Sequence, residues 1–260
     1  MIKLIQNEFL KLHAQKTIYI LMGVLVLLEG VIAIILKSLL SSNIPPGANT
    51  PLGYASFLLP TIIMFTTIFG ITIASRTITE EFQKGTIKQL LIRSKKRVSI
   101  LFAKYITVLL SMVIIIIIST VTASLIGEII MRGGKTELTP SIFTIKLLYM
   151  LPATFFYATL SFFLANVFRK SVLSLIISMF LFFIEGPILY LIMLYAQGIA
   201  KYIVLFHLNL NMYDSREIIN EGATPLFSEF TLTTSSLFVL ASFAVLLIAS
   251  SVMFQKRDVL

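Results

Sequence analysis

The chain contains no cysteine and no tryptophan, and only two histidines. Charged residues make up 13% of it, where soluble domains carry about 25%. Without cysteine there is no disulfide, no thiolate metal site and no cysteine nucleophile. Without tryptophan, interfacial anchoring falls to tyrosine and lysine. The two histidines, His13 and His207, provide no HExxH motif, no metal-ligand cluster and no Ser/His/Asp set. Gly134-Lys135-Thr136 imitates the end of a P-loop, but that motif needs a glycine five positions before its last one, where Ile129 stands. No catalytic residue and no metal site are expected, and ATP hydrolysis by this chain alone is excluded.

What is abundant is apolar sequence. Hydrophobic residues make up 57% of the 260, and they come in runs of about 20, the length that spans a bilayer. Six spans are predicted, at 17–36, 53–75, 104–127, 145–168, 171–195 and 232–254. With the amino terminus inside, fifteen of the 21 Lys and Arg residues fall on the inner side and six on the outer. That positive-inside bias places both termini in the cytoplasm. The formal charge of +9 is then explained by topology and anionic lipid headgroups, not by nucleic acid.

Residues 1–16 are too polar to span. Ile2, Ile5, Phe9 and Leu12 recur at helical spacing, with Lys3, Glu8 and Lys11 on the other side. An amphipathic helix lying in the membrane interface is expected. A signal peptide is the rival reading, but the run at 17–36 is too long for an h-region and no small-residue cleavage site follows. Of the outer connections, 37–52 carries Pro45-Pro46. Residues 128–144 carry Gly133-Gly134 and then Pro140, which can open the next helix. Residues 196–231 are amphipathic, with Tyr202, Phe206, Phe227 and Phe230 among Asp214, Arg216 and Glu217. They predict short helices in a re-entrant outer segment.

The 76–103 loop holds seven of the fifteen cytoplasmic basic residues, and Lys104 follows it. Glu80 and Glu81 extend the second span, Gly85 can end that helix in the left-handed conformation, and Ile87, Leu90 and Leu91 share one side of a short helix. Ser94 can cap the next helix, although Lys95, Lys96 and Arg97 there oppose its dipole. The plainer reading is a solvated connector.

Two carboxylates lie inside predicted spans. Glu29 is 12 residues into span one and Glu185 is 14 into span five. At about 1.5 Å per residue both sit roughly 18–21 Å deep in a core of about 30 Å. A charge there is costly and calls for a cavity or a partner. Either the two line a translocation path, or Glu29 bonds a neighbouring helix and Glu185 marks a break at Gly186-Pro187.

The loop resembles the first cytoplasmic loop of type-2 ATP-binding-cassette (ABC) permeases: Glu80-Glu81-Phe82-Gln83-Lys84-Gly85-Thr86, then Leu90-Leu91, Ser94 and Arg97. The ending Phe254-Gln255-Lys256-Arg257-Asp258-Val259 is similar to the aromatic–basic–Asp close of that family. The order of the spans matches as well. The resemblance implies an all-α integral membrane protein: six transmembrane helices, an amino-terminal interfacial helix, and a cytoplasmic coupling helix between spans two and three. It implies that Glu80, Glu81, Gly85, Thr86, Ile87, Leu90 and Leu91 contact a separate ATPase subunit, in two copies, which holds ATP and Mg²⁺. It implies a second permease chain, identical or homologous, in a bacterial plasma membrane. Small permeases of this kind often serve bacterial peptide export, bacteriocin immunity or drug resistance, so the resemblance implies export of an amphipathic or antimicrobial-type peptide, or of a drug. Glu29 and Glu185 match no motif of the family. A secondary transporter or channel using these two carboxylates, and a non-transporting scaffold or sensor, are the alternatives.

Overall fold

The computed structural model describes residues 1–39, 47–83, 97–131 and 138–255. Gly85, Thr86, Ile87, Leu90, Leu91, Ser94, the Gly134-Lys135-Thr136 triplet and the Lys256–Val259 ending lie outside them, as does the side chain of Glu81.

The described residues are helical, with no strands among them. The amino-terminal helix α1 covers Ile2–Ala14. Six long apolar helices follow: α2 Thr17–Leu39, α3 Pro51–Gln83, α4 Arg97–Ile130, α5 Pro140–Phe168, α6 Ser171–Tyr195 and, after an outer segment, α9 Leu232–Gln255. The outer segment carries the one-turn helices α7 Gln197–Ala200 and α8 Glu217–Asn220, and two short 3₁₀ turns at Val204–His207 and Leu210–Tyr213.

Helices α3 and α4 exceed the expected spans. At about 1.5 Å per residue, 33 and 34 residues reach roughly 50 Å, well beyond a 30 Å hydrocarbon core. The excess lies mostly toward the 84–96 connection. The 76–103 loop is therefore helical at both ends, not a free loop. Pro140 does open α5, with Thr139 as its N-cap accepting from the Ile142 amide at 3.4 Å. Arg169 closes α5 in the left-handed conformation (φ 57°), which turns the chain directly into α6.

The three middle spans form the core. Helix α3 packs along both α4 and α5. The most apolar stretches of α3, α4 and α5 are 61%, 50% and 39% buried, against 17% or less for α2, α6 and α9. Spans one, five and six therefore form the periphery and turn most of their surface outward. Phe69, Ile73 and Ile78 of α3, Tyr105 and Met112 of α4 and Phe162 of α5 make one apolar cluster. Tyr54, Leu58, Ile62, Ala123 and Phe143 make a second toward the far end. At that end a Cβ on Gly127 would come within 3.1 Å of the Pro51 Cα, so a side chain there would push α4 off the start of α3 by a few tenths of an ångström.

Five threonine hydroxyls of α3 are satisfied within their own helix. Thr66, Thr67, Thr72, Thr77 and Thr79 of α3 each donate to the carbonyl four residues earlier, at 2.7–2.8 Å. A threonine-rich helix can therefore cross an apolar layer without exposing polar groups.

Candidate functional site

Three polar constellations stand out against this apolar background. The first joins α1 to the overhanging ends of α3 and α4. Lys104, 3% exposed, donates to Glu8 at 3.0 Å and to the Thr77 carbonyl at 3.1 Å. Lys11 reaches the other oxygen of Glu8 at 2.6 Å. Gln15 donates to Glu80 at 3.4 Å. Expected on the polar side of α1, Glu8 instead turns inward beside Ile5, Phe9 and Leu12, because the Lys104 ammonium lies buried beneath it. Lys104 is correspondingly a structural ion-pair partner and no longer one of the solvated loop cations. Burial by itself would raise the Glu8 pKa, but the Lys104 charge and the hydrogen bonds from Lys11 and Lys104 outweigh it and hold the carboxyl below its ordinary 4.5. Of the expected ATPase-contact residues, Glu80 is described: it sits on α3, half-buried, at this joint.

The second constellation surrounds Glu29, which is 2% exposed. One carboxyl oxygen accepts from Thr122 of α4 at 2.7 Å. The Tyr54 hydroxyl of α3 donates to the Glu29 backbone carbonyl. The other carboxyl oxygen has no hydrogen-bond partner among the described residues. Glu29 thus faces spans two and three within its own chain.

The third lies between α5 and α6. Ser174 donates to the Ser161 carbonyl at 2.7 Å, and Ser161 donates to the Ile71 carbonyl of α3 at 2.9 Å. Further along the same faces, the buried Tyr157 hydroxyl lies beside the Glu185 carboxyl, short of a formed hydrogen bond. Ser178, buried on the same side of α6, is likewise unpartnered. Glu185 itself is half-buried. Helix α6 runs unbroken through Gly186-Pro187, contrary to the expected break, and both residues are exposed on its outer surface. The structure keeps Glu29 and Glu185 in separate constellations, on α2 and α6.

The 196–231 segment, expected on the outer side, is a packed cap. Lys146 of α5, expected among the outer-loop cations, is 4% exposed. It donates to Glu221 at 2.7 Å and to Ser56 of α3 at 3.0 Å. His207 is fully buried, bonded to Ser235 at 3.1 Å and to the Lys201 carbonyl at 3.0 Å. Phe230 and Phe238 pack on its ring at 4.4 and 5.0 Å between centroids. The Arg216 guanidinium beside Asp214 holds that carboxyl below its usual range. Lys104 and Lys146 are the first and second residues of their expected spans. A lysine ammonium at a span edge, like the two carboxylates inside the spans, calls for a partner when it is buried.

Comparison with known proteins gives the same class. The chain is 30% identical over 217 residues to the uncharacterized protein YhcI of Bacillus subtilis (strain 168), covering 75% of this chain and 65% of that protein. It is 23% identical over 227 residues to the uncharacterized membrane protein YdbK of the same organism, covering 84% and 89%. Residues 4–185 match the family described as ABC-2 family transporter protein. That stretch takes in α1, the joint, the Glu29 cluster and most of the α5–α6 seam, and the chain belongs to this family of multi-pass membrane transporter proteins.

Proposed function

We propose that this chain is the permease subunit of an ABC exporter in a bacterial plasma membrane, with both termini cytoplasmic, and that a separate ATPase subunit drives it. The observation that carries the reading, beside the family, is the joint of Glu8, Lys104, Thr77 and Glu80. It bolts α1 to the overhanging ends of spans two and three, where the 84–96 connection leaves the bundle. A force applied to that connection by a closing ATPase dimer reaches the two most buried spans, α3 and α4. Glu80 and Glu81, with Gly85, Thr86, Ile87, Leu90 and Leu91, form the contact. Two permease chains and two ATPase chains make the working unit, and ATP and Mg²⁺ reside in the ATPase.

The substrate is an amphipathic peptide or a drug of similar character, and Glu185 is the acidic group of the path. Half-buried on a peripheral span, beside unpartnered Tyr157, it can meet a cation without unpacking the core. Glu29 joins the path only when spans one and three part, because Thr122 and Tyr54 enclose it in the packed chain. The fifteen-to-six basic bias supports the orientation. A channel or secondary transporter would use the same carboxylates but needs no ATPase.

Co-purification separates the readings. Mild-detergent extraction should bring down a P-loop ATPase in stoichiometric amount. A permease that transports in vesicles with no such partner present would contradict the proposal.

A further inference from the structure

The turn between α1 and α2 builds a cavity of about 490 Å³ lined by His13, Lys16, Tyr19 and Ile20. Its polar side chains are those of His13, Lys16 and Tyr19. Lys16 holds the turn in the left-handed conformation, φ 56°. Exposed, its side chain makes no ion pair among the described residues. The His13 ring meets Tyr19 edge-on at 5.4 Å, and its Nδ1 lies 2.7 Å from the Tyr19 hydroxyl. A phenol is a strong donor and the neutral imidazole has one acceptor nitrogen. With Tyr19 as the donor to Nδ1, the ring proton sits on Nε2. The site then presents an ammonium and an imidazole N–H, both donors for an anion.

Below these donors the surface is apolar. Tyr19 and Ile20 are 54% and 64% exposed, and Val24 and Leu27 continue the exposed track along α2. Gly23 leaves open space on that track, with nothing within 4 Å of where its Cβ would stand. A basic side chain at the end of an exposed apolar helix face matches a ligand with an anionic head and an aliphatic tail.

We propose that the α1–α2 elbow is a binding site for an anionic phospholipid. Lys16 and the His13 Nε2–H hold the phosphate, Tyr19 orients His13, and Ile20, Gly23, Val24 and Leu27 seat an acyl chain. The membrane itself supplies the occupant, in the leaflet on the amino-terminal side. One basic side chain near an anionic surface favours anionic over zwitterionic lipid by about fivefold. The lipid also fastens the interfacial helix at its carboxyl end, as Glu8 fastens it at its middle.

The absence of tryptophan makes the test direct. Ile20→Trp places a single fluorophore in the groove of the full chain reconstituted in bilayers. Its quenching by brominated phosphatidylglycerol is compared with quenching by brominated phosphatidylcholine. The site predicts about fivefold preferential quenching by phosphatidylglycerol, reduced to near parity by Lys16→Gln and diminished by Tyr19→Phe. Lys3→Gln and Lys170→Gln should leave it unchanged. Equal quenching by the two lipids overturns the proposal. A preference that survives Lys16→Gln does so too, as does one that millimolar inorganic phosphate abolishes, which would identify free phosphate as the ligand. If Ile20→Trp fails to insert, native mass spectrometry of the tryptophan-free chain from mixed bilayers decides by the same comparison. Retained phosphatidylglycerol in the parent and its loss in Lys16→Gln support the site; equal retention refutes it.

Discussion

Replacing Glu8 by glutamine removes the charge at the centre of the α1 joint while keeping its shape. The two cations contribute unequally. Lys11 is 52% exposed, so its bond at 2.6 Å is screened and contributes less than about 1 kcal/mol. The Lys104 side chain is 3% exposed and the Glu8 side chain 13%, and a hydrogen bond between charged groups at that burial contributes about 1.5–3 kcal/mol. Glu8→Gln should therefore destabilise the chain by roughly 1.5–3 kcal/mol, and Lys11→Gln by no more than about 0.5 kcal/mol. At about 2–4 °C per kcal/mol for chains of this size, the first variant melts roughly 3–12 °C lower in a thermal scan of the reconstituted protein. The pair has a pH signature as well. Because the folded Glu8 pKa is depressed, its contribution is complete above the ordinary value of 4.5 and is lost as pH falls through the folded value. The gap between parent and Glu8→Gln should thus be widest at neutral pH and close in acid. Lys104→Met combined with Glu8→Gln should cost less than the sum of the single changes. Strict additivity, or a Lys11→Gln effect as large as that of Glu8→Gln, would refute the buried-pair reasoning.

Thr122→Val should cost about 1–3 kcal/mol, because it strips the hydrogen bond from a buried carboxyl; in a Glu29→Leu background the same change should cost almost nothing, and a melting cycle reads the difference. Glu221→Gln should loosen the outer cap by roughly 1–2 kcal/mol, between the values for exposed and buried pairs, seen as faster amide exchange over 196–231 with spans two and three unaffected. Glu185→Gln should reduce export of a cationic substrate and spare a neutral one, while Glu185→Leu impairs both. Parent-like transport of cationic and neutral substrates by the two variants would remove Glu185 from the path.

The long spans were legible because runs of about 20 apolar residues have few alternatives. Their ends were not. Thr77–Gln83 and Arg97–Ala103 are helical beyond the apolar runs, and nothing in hydropathy marks where a helix leaving the membrane stops. Gly186-Pro187 suggested a break in span five, yet α6 continues through it: without water nearby, the remaining backbone groups are best satisfied inside the helix. Lys104 and Lys146 look like topology signals, because a lysine at a span edge looks the same in sequence whether it snorkels or is buried. Their acidic partners, 96 and 75 positions away, become visible only once α1 and the outer cap have packed. The elbow site was hidden for a related reason: His13 and Tyr19 belong to different elements, and only the left-handed turn at Lys16 brings them into contact.

The central claim is that an ATPase drives this permease through the base of spans two and three. Because the chain has no cysteine, Glu80→Cys supplies a unique attachment point for a short photo-crosslinker in intact cells. The account predicts a covalent adduct with an ATP-binding-cassette subunit at position 80, and none from Glu128→Cys at the opposite end of α4. No ATPase adduct at position 80, or equal adducts at both positions, would contradict it.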